Sequence, residues 1–166
     1  MKNLRKMILT ALFAALGVVL SAFCIPTGAA KCYPIQSLLN VMAAVLLGPA
    51  YAVAMAFLTS LIRVMLGTGS FLAFPGSMIG AFCSGLLYRH FHKLTAAYIG
   101  EAAGTGILGA LAAYPVAACL MSARAALFSF IVPFSISSLI GSAISVMLLK
   151  ILEHTRLLER IGSNNF

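Results

Sequence analysis

The feature that most limits the fold of this chain is a series of long segments without a charged residue. These uncharged runs cover residues 7–25, 32–62, 64–88, 102–123 and 125–149. An α-helix needs about 20 mostly apolar residues to cross the hydrocarbon core of a bilayer. Since 62% of the 166 residues are hydrophobic and only 8% are charged, we predict a polytopic α-helical membrane protein without a soluble catalytic domain.

The first uncharged run resembles the apolar core of a signal peptide, but its length argues against that interpretation. It spans 19 residues, from 7 to 25, whereas the apolar core of a signal peptide is usually about 7–15 residues long. We therefore expect it to be retained as the first transmembrane helix.

The run over 32–62 is too long for one transmembrane helix. As a single helix it would measure about 46 Å, well beyond the hydrocarbon core. It contains the sequence "LLGPAYA" over 46–52. Because proline lacks an N–H and clashes with the preceding turn, Gly-Pro breaks or kinks a helix. The sequence therefore predicts two helices here, over about 35–48 and 50–66.

The distribution of the basic residues supports this division. With six helices and the N-terminus inside, eight basic residues lie on the inner side: Lys2, Arg5, Lys6, Arg89, Lys93, Lys150, Arg156 and Arg160. Three lie on the outer side: Lys31, Arg63 and Arg124. A single helix over 32–62 would give five inside against six outside, which violates the positive-inside rule.

We therefore predict an all-α bundle of six transmembrane helices that forms one domain over 1–166, with both termini in the cytoplasm. The expected spans are 4–25, 35–48, 50–66, 75–91, 94–121 and 126–153. Two elaborated connections, at about 26–37 and 67–77, then lie on the outer face, while the inner connections are short. This asymmetry indicates a binding site that opens outward.

Polar and aromatic residues in and beside the outer connections are the first candidates for ligand binding. They are Lys31, Tyr33, Gln36 and Asn40 near the first connection, and Ser70, Phe71, Phe74 and Ser77 near the second. Aromatic planes beside a few donors and acceptors suit a small flat ligand. The alternative is an interfacial aromatic belt with solvated loop residues.

Tyr114 in the fifth helix and Ser135 and Ser138 in the sixth could form another wall of a pocket. Pro133 is expected to kink the sixth helix in its outer third. Serines in a helix also bond back to their own helix carbonyls, which is the alternative for both serines.

Two charged residues lie within or near the membrane region. Glu101 is the only acidic residue there, so we expect it to face a cavity, a partner or a proton, or to brace helix packing. Thr105 is one turn away and within reach as a hydrogen-bond partner. Arg63 is expected either to extend outward to the interface or to point inward, toward a ligand or Glu101.

Several other classes of function are disfavoured. The net charge of +8 resides at helix ends and follows the positive-inside pattern, so it does not indicate nucleic-acid binding. The four cysteines and three histidines show no metal-ligand spacing. No catalytic set or P-loop is present, so we expect no enzyme activity, no metal and no cofactor in this chain, and ATP hydrolysis must come from a partner if transport is active.

A family resemblance rests on two segments and on a general pattern. Residues 27–85, which begin "TGAAKCYPIQSLLN", and the segment "GEAAGTGILGAL" resemble the ThiW family. The six-helix layout and the small-xxx-small spacing of Ala11 and Ala15 are similar to the substrate-binding S components of energy-coupling factor (ECF) transporters. The resemblance covers nearly the whole chain.

The resemblance implies a binding subunit in the bacterial cytoplasmic membrane. Its implied ligand is the thiazole precursor of thiamine, hydroxyethyl-methylthiazole, and its implied partners are a transmembrane T component and two ABC ATPases that use ATP. Residues 26–37 would be a lid, and Ala11 and Ala15 would contact the T component. The alternatives are an S component for another vitamin precursor, such as the pyrimidine half of thiamine, or a facilitator that works without a partner.

Overall fold

The computed structural model describes residues 2–22, 25–26, 31–120 and 130–154. Within these ranges the chain is a bundle of helices, with one short pair of strands between the first two. The helices are α1 (Lys2–Val19), α2 (Pro34–Leu47), α3 (Pro49–Met65), α4 (Ala73–Phe91), α5 (Leu94–Ala103), α6 (Ala110–Leu120) and α7 (Ile131–His154). A π-helical segment, Gly104–Gly109, joins α5 to α6, so the described residues form six helical rods.

The predicted break between the second and third helices is confirmed. Gly48 has φ +94°, a backbone conformation that glycine adopts without the steric cost of a side chain. Pro49 then begins α3, where its missing N–H would have no helical partner in any case. The Gly-Pro pair therefore ends one helix and starts the next.

Among the residues that the structure describes, three helical stretches are long and apolar enough to cross a membrane: Asn3–Ala22, Leu94–Ala118 and Ile131–His154. Two shorter apolar helices, Pro34–Leu47 and Pro49–Met65, lie among them. Large apolar side chains such as Leu4, Val132 and Met147 are exposed on the outside of the bundle. Apolar surfaces of this kind are what lipid requires, and the chain is a membrane protein.

Helix α4 packs closely against the rod that contains α5 and the π segment. A Cβ added at Gly100 would lie 2.7 Å from the Cα of Ser84, and one added at Gly109 would lie 2.6 Å from the Cα of Gly76. These positions leave no space for a side chain, so glycine lets the two backbones approach. The Ser84 hydroxyl adds a hydrogen bond of 3.0 Å to the carbonyl of Ala97.

Helix α1 packs on the bundle with one side only. Ala14 is buried in the core, and Gly17 faces Thr59 of α3. Ala11 and Ala15, the pair with small-xxx-small spacing, are exposed on the other side of the helix.

A short antiparallel pair of strands follows α1. Strand β1 (Ile25–Pro26) pairs with β2 (Lys31–Cys32), with Ile25 opposite Cys32. The Cys32 thiol donates a hydrogen bond of 2.8 Å to the carbonyl of Pro133, which holds β2 against the start of α7. Because α7 begins at Ile131, Pro133 lies in its first turn, where proline is tolerated since no helical hydrogen bond is lost. The kink expected in the outer third of this helix stays a prediction.

Candidate functional site

A polar pocket lies at the end of the bundle where β2 and the connection between α3 and α4 are located. Its volume is about 370 Å³, including open space at its mouth. The wall is formed by the first two turns of α2, α4 and α7, the last turn of α3 and the start of the π segment. The lining residues are Tyr33, Gln36, Ser37, Asn40, Arg63, Ala73, Gly76, Ser77, Thr105, Phe134 and Ser137.

Arg63 is the charged residue of this wall. It lies in the last turn of α3, and its side chain is only 1% exposed. Its Nη1 donates a hydrogen bond of 3.2 Å to Oε1 of Gln36, and its Cζ lies 3.7 Å from the ring centroid of Tyr33. Of the two orientations considered for Arg63, the structure therefore has the inward one, with the guanidinium stacked on an aromatic ring.

A chain of hydrogen bonds leads from Arg63 to the interior of the bundle. Nε2 of Gln36 donates to Oδ1 of Asn40 at 3.4 Å. Nδ2 of Asn40 donates to Oε1 of Glu101 at 3.0 Å and to the carbonyl of Ser77 at 3.2 Å. A guanidinium can only donate and a carboxylate only accept, so the two ends of the chain determine the orientation of both amides.

Glu101 lies behind the pocket wall and is fully buried. Its Oε1 accepts a second hydrogen bond, of 2.9 Å, from the Thr105 hydroxyl, as the spacing of these residues predicted. The Ser37 side chain also lies close to the carboxylate. Oε2 nevertheless accepts no well-formed hydrogen bond from the described residues. That oxygen lies on the side of Gly80, where an added Cβ would be 2.8 Å away.

The serines of the wall differ in what they offer a ligand. The Ser77 hydroxyl donates to the carbonyl of Ala73 at 2.7 Å and lies 3.1 Å from the Ser60 hydroxyl, so its proton is already used. The Ser137 hydroxyl accepts a hydrogen bond of 3.1 Å from the backbone N–H of Tyr33. Its own O–H can therefore donate into the pocket.

Tyr33 connects three parts of the pocket. Its N–H is bound by α7 through Ser137, and its ring covers the guanidinium of Arg63. Its hydroxyl donates to the carbonyl of Thr68, at 2.9 Å, in the connection between α3 and α4. One residue of the first predicted outer connection is thus attached to the second.

Some of the residues predicted from the sequence meet at the pocket and others do not. Those on the wall are Tyr33, Gln36, Asn40, Arg63 and Ser77, with Glu101 directly behind them. Those away from the wall are Ser70, Phe71, Phe74, Tyr114, Ser135 and Ser138. The side chain of Lys31 lies outside the described part of the structure.

The residues away from the wall have other contacts or are exposed. The ring of Phe74 packs 5.7 Å from that of Phe57 and 6.5 Å from that of Phe71. The Ser138 hydroxyl donates to the carbonyl of Ser135 in its own helix at 3.1 Å, which is the alternative that the sequence left open. Tyr114 is 37% exposed.

Sequence reasoning missed six wall residues: Ser37, Ala73, Gly76, Thr105 as a wall residue, Phe134 and Ser137. Ser37 could have been found, because residues at i, i+3 and i+4 share one helix face and Tyr33, Gln36 and Asn40 were already candidates. On α7 the prediction chose Ser135 and Ser138. Each lies one residue beyond Phe134 and Ser137, and is therefore rotated about 100° around the helix axis.

Comparison with known proteins gives a match to a protein family. The family model described as thiamine-precursor transporter protein (ThiW) matches residues 7–155. No curated protein and no solved structure matches the chain. The matched segment includes every residue of the pocket wall and ends just after α7. The chain therefore belongs to the ThiW family of thiamine-precursor transporters.

Proposed function

We propose that this chain is the substrate-binding S component of an ECF-type importer, and that its ligand is the thiazole precursor of thiamine, hydroxyethyl-methylthiazole. The observation that carries the proposal is the polar pocket between α2, α3, α4 and α7 in a chain of the ThiW family. The two proposed outer connections border this pocket. Capture of a ligand from outside and its delivery inward then make use of the same site.

The chemistry of the wall suits a small heteroaromatic alcohol. Such a ligand needs one flat apolar contact and two or three hydrogen bonds. The aromatic rings on the wall belong to Tyr33 and Phe134, hydrogen bonds are available from Gln36 and Ser137, and Arg63 adds a positive charge. The thiazole nitrogen and the hydroxyl oxygen are both acceptors that these groups can serve.

Transport requires partners in this proposal. The chain acts as a binding subunit and not as an enzyme, and it carries no cofactor of its own. ATP is hydrolysed by two ABC ATPases bound to a transmembrane T component. The exposed face of α1 that contains Ala11 and Ala15 contacts the T component. The chain lies in the bacterial cytoplasmic membrane with both termini in the cytoplasm, which puts the pocket at the outer face.

Calorimetric titration of the detergent-purified chain with hydroxyethyl-methylthiazole tests this proposal. Thiamine and the pyrimidine half of thiamine are the comparison ligands. We expect one-to-one binding of the thiazole and much weaker binding of the other two. Preference for the pyrimidine would assign the chain to another precursor, and absence of binding to all three would contradict the proposal.

A transport assay tests the need for partners separately. Proteoliposomes that hold the chain alone should take up no thiazole, while those that also hold the T component and ATPases should do so when ATP is present. Uptake by the chain alone, without ATP, would identify a facilitator.

A further inference from the structure

We propose that Arg63 determines the charge of the ligand, so that the pocket binds neutral or anionic ring compounds through their acceptor atoms and rejects cationic ones. This inference rests on the proposed function. It would make the protein select a thiazole precursor over compounds in which the ring nitrogen is alkylated and permanently positive, as it is in thiamine itself.

The two ionisable residues buried at the pocket lie at different distances from a ligand. Arginine stays protonated in proteins, and Arg63 lines the pocket. Glu101, the other buried charged residue here, is not part of the wall, and the side chains of Gln36 and Asn40 lie between it and the guanidinium. The guanidinium, though buried, is therefore the charged group on the wall, whereas the carboxyl group of Glu101 lies behind it.

The amide oxygens and the Tyr33 ring, which could attract a cation, already have partners within the protein. Oε1 of Gln36 and Oδ1 of Asn40 both accept hydrogen bonds within the chain of amides. The face of the Tyr33 ring, which would otherwise attract a cationic ligand, is covered by the guanidinium at 3.7 Å. No aromatic cage for a quaternary nitrogen can form on that side.

Gln36 and Ser137 each keep a hydrogen-bond donor for a ligand. Gln36 uses one N–H of its amide on Asn40 and has a second one to donate. Ser137 accepts from the N–H of Tyr33, which leaves its O–H as a donor. Together with the positive charge of Arg63, these donors favour a ligand with exposed acceptors, such as a ring nitrogen, a hydroxyl oxygen or an anionic oxygen.

The test uses three compounds that share one ring: the neutral hydroxyethyl-methylthiazole, its N-methylated thiazolium, and the analogue with a carboxymethyl in place of the hydroxyethyl group. Titration of the unmodified chain should give binding of the neutral compound about 100-fold tighter than of the cation, as expected for a charge several ångströms away in a low-dielectric site. The carboxylate should bind at least as tightly as the alcohol.

Substitution of Arg63 should remove this discrimination. In Arg63→Gln the ratio of affinities for the neutral and cationic compounds should fall to about tenfold or less. Arg63→Lys keeps the charge and should keep most of the ratio, and Arg89→Gln, which removes an exposed arginine at the other end of α4, should leave it unchanged. Because the ratio is measured within each variant, a general loss of affinity does not affect it.

The outcomes separate this inference from the proposed function. Equal binding of the neutral and cationic compounds by the unmodified chain would overturn the inference alone, as would an unchanged ratio in Arg63→Gln. If the unmodified chain bound none of the three, both the inference and the proposed function would be wrong. If the Arg63 variants fail to fold, the carboxylate arm still tests the inference, because weaker binding of the carboxylate than of the alcohol by the unmodified chain would overturn it.

Discussion

At the scale of single residues, Glu101 has a structural role that substitutions can test. It accepts hydrogen bonds from Asn40 and Thr105 but does not line the pocket. Glu101→Gln keeps an oxygen for both donors, so we expect a change in the free energy of unfolding of no more than about 1 kcal/mol. Glu101→Ala leaves a buried N–H of Asn40 without its acceptor, and should lower that free energy by about 2–4 kcal/mol.

Chemical unfolding in detergent would measure these changes, and titration with the thiazole would accompany it. Ligand affinity should stay within a few-fold of the original in Glu101→Gln, because the carboxylate lies behind the wall. A folded Glu101→Gln protein without thiazole binding would place the charge of Glu101 in the binding site and contradict this interpretation.

Tyr33 offers a second test at this scale. Tyr33→Phe removes only the hydroxyl that donates to the carbonyl of Thr68, while the ring remains on Arg63. Loss of one hydrogen bond of this kind costs about 0.5–1.5 kcal/mol, so the two connections should separate more easily and the bound thiazole should dissociate several-fold faster. Stopped-flow dissociation would measure the rate. An unchanged rate would show that this bond does not hold the pocket closed.

At the scale of elements, the π segment Gly104–Gly109 places Thr105 on the pocket wall while its glycines lie against α4. A π-helical turn interrupts the regular register of an α-helix and is frequent at functional sites. Helices α5 and α6 on either side of it form one continuous rod. The change of register lies where this rod packs against Gly76 and Gly80 of α4. Close packing and a wall residue are thus provided by the same short segment.

Substitution within this contact should destabilise the bundle. In Gly109→Ala the new Cβ would lie 2.6 Å from the Cα of Gly76, so the backbones must separate, at a cost of about 1–3 kcal/mol in the free energy of unfolding. Gly67→Asn is the matched control: no atom lies within 4 Å of its added Cβ, and asparagine tolerates its φ of +71°. Thermal unfolding in detergent should show a lower midpoint for Gly109→Ala only, and equal midpoints would contradict the packing argument.

At the scale of the whole molecule, the exposed face of α1 is the proposed contact with the T component. Ala11 and Ala15 are exposed and make room for another helix. Ala11→Trp combined with Ala15→Trp should abolish co-purification with the T component and leave thiazole affinity unchanged, because neither residue is near the pocket. Ala14→Trp, on the buried face, should instead impair folding. Retained co-purification of the double variant would exclude this face as the contact.

The orientation of the molecule in the membrane is a prediction from charge, and it can be tested with cysteine labelling. Phe71 and Lys93 are both exposed and lie at opposite ends of α4. In a background without native cysteines, Phe71→Cys should react with an impermeant maleimide in intact cells, and Lys93→Cys only after the membrane is opened. The reverse pattern would invert the topology and place the pocket on the cytoplasmic side.

The number of helical rods and most of their ends were predictable from the sequence, because they depend on local properties. The first helix is the exception, since it was expected to reach residue 25, whereas α1 ends at Val19 and Ile25 lies in β1. Elsewhere the sequence predicted most of the described ends to within a few residues, from runs of apolar residues and the Gly48-Pro49 pair. It also brought Tyr33, Gln36 and Asn40 together as candidates, since their spacing puts them on one helix face.

Only the tertiary structure decided which side of each helix faces the pocket. On α7 serines occur on several faces, so nothing local distinguished Ser137 from Ser138. These neighbours point in different directions around the helix: Ser137 lies on the wall, and Ser138 bonds to the backbone of its own helix. Likewise, the sequence allowed Arg63 either to extend outward or to turn inward. Its inward orientation depends on contacts with Gln36 and Tyr33, which form only in the folded bundle. Contacts between residues far apart in the chain depend on the packing of the rods, which no local pattern specifies.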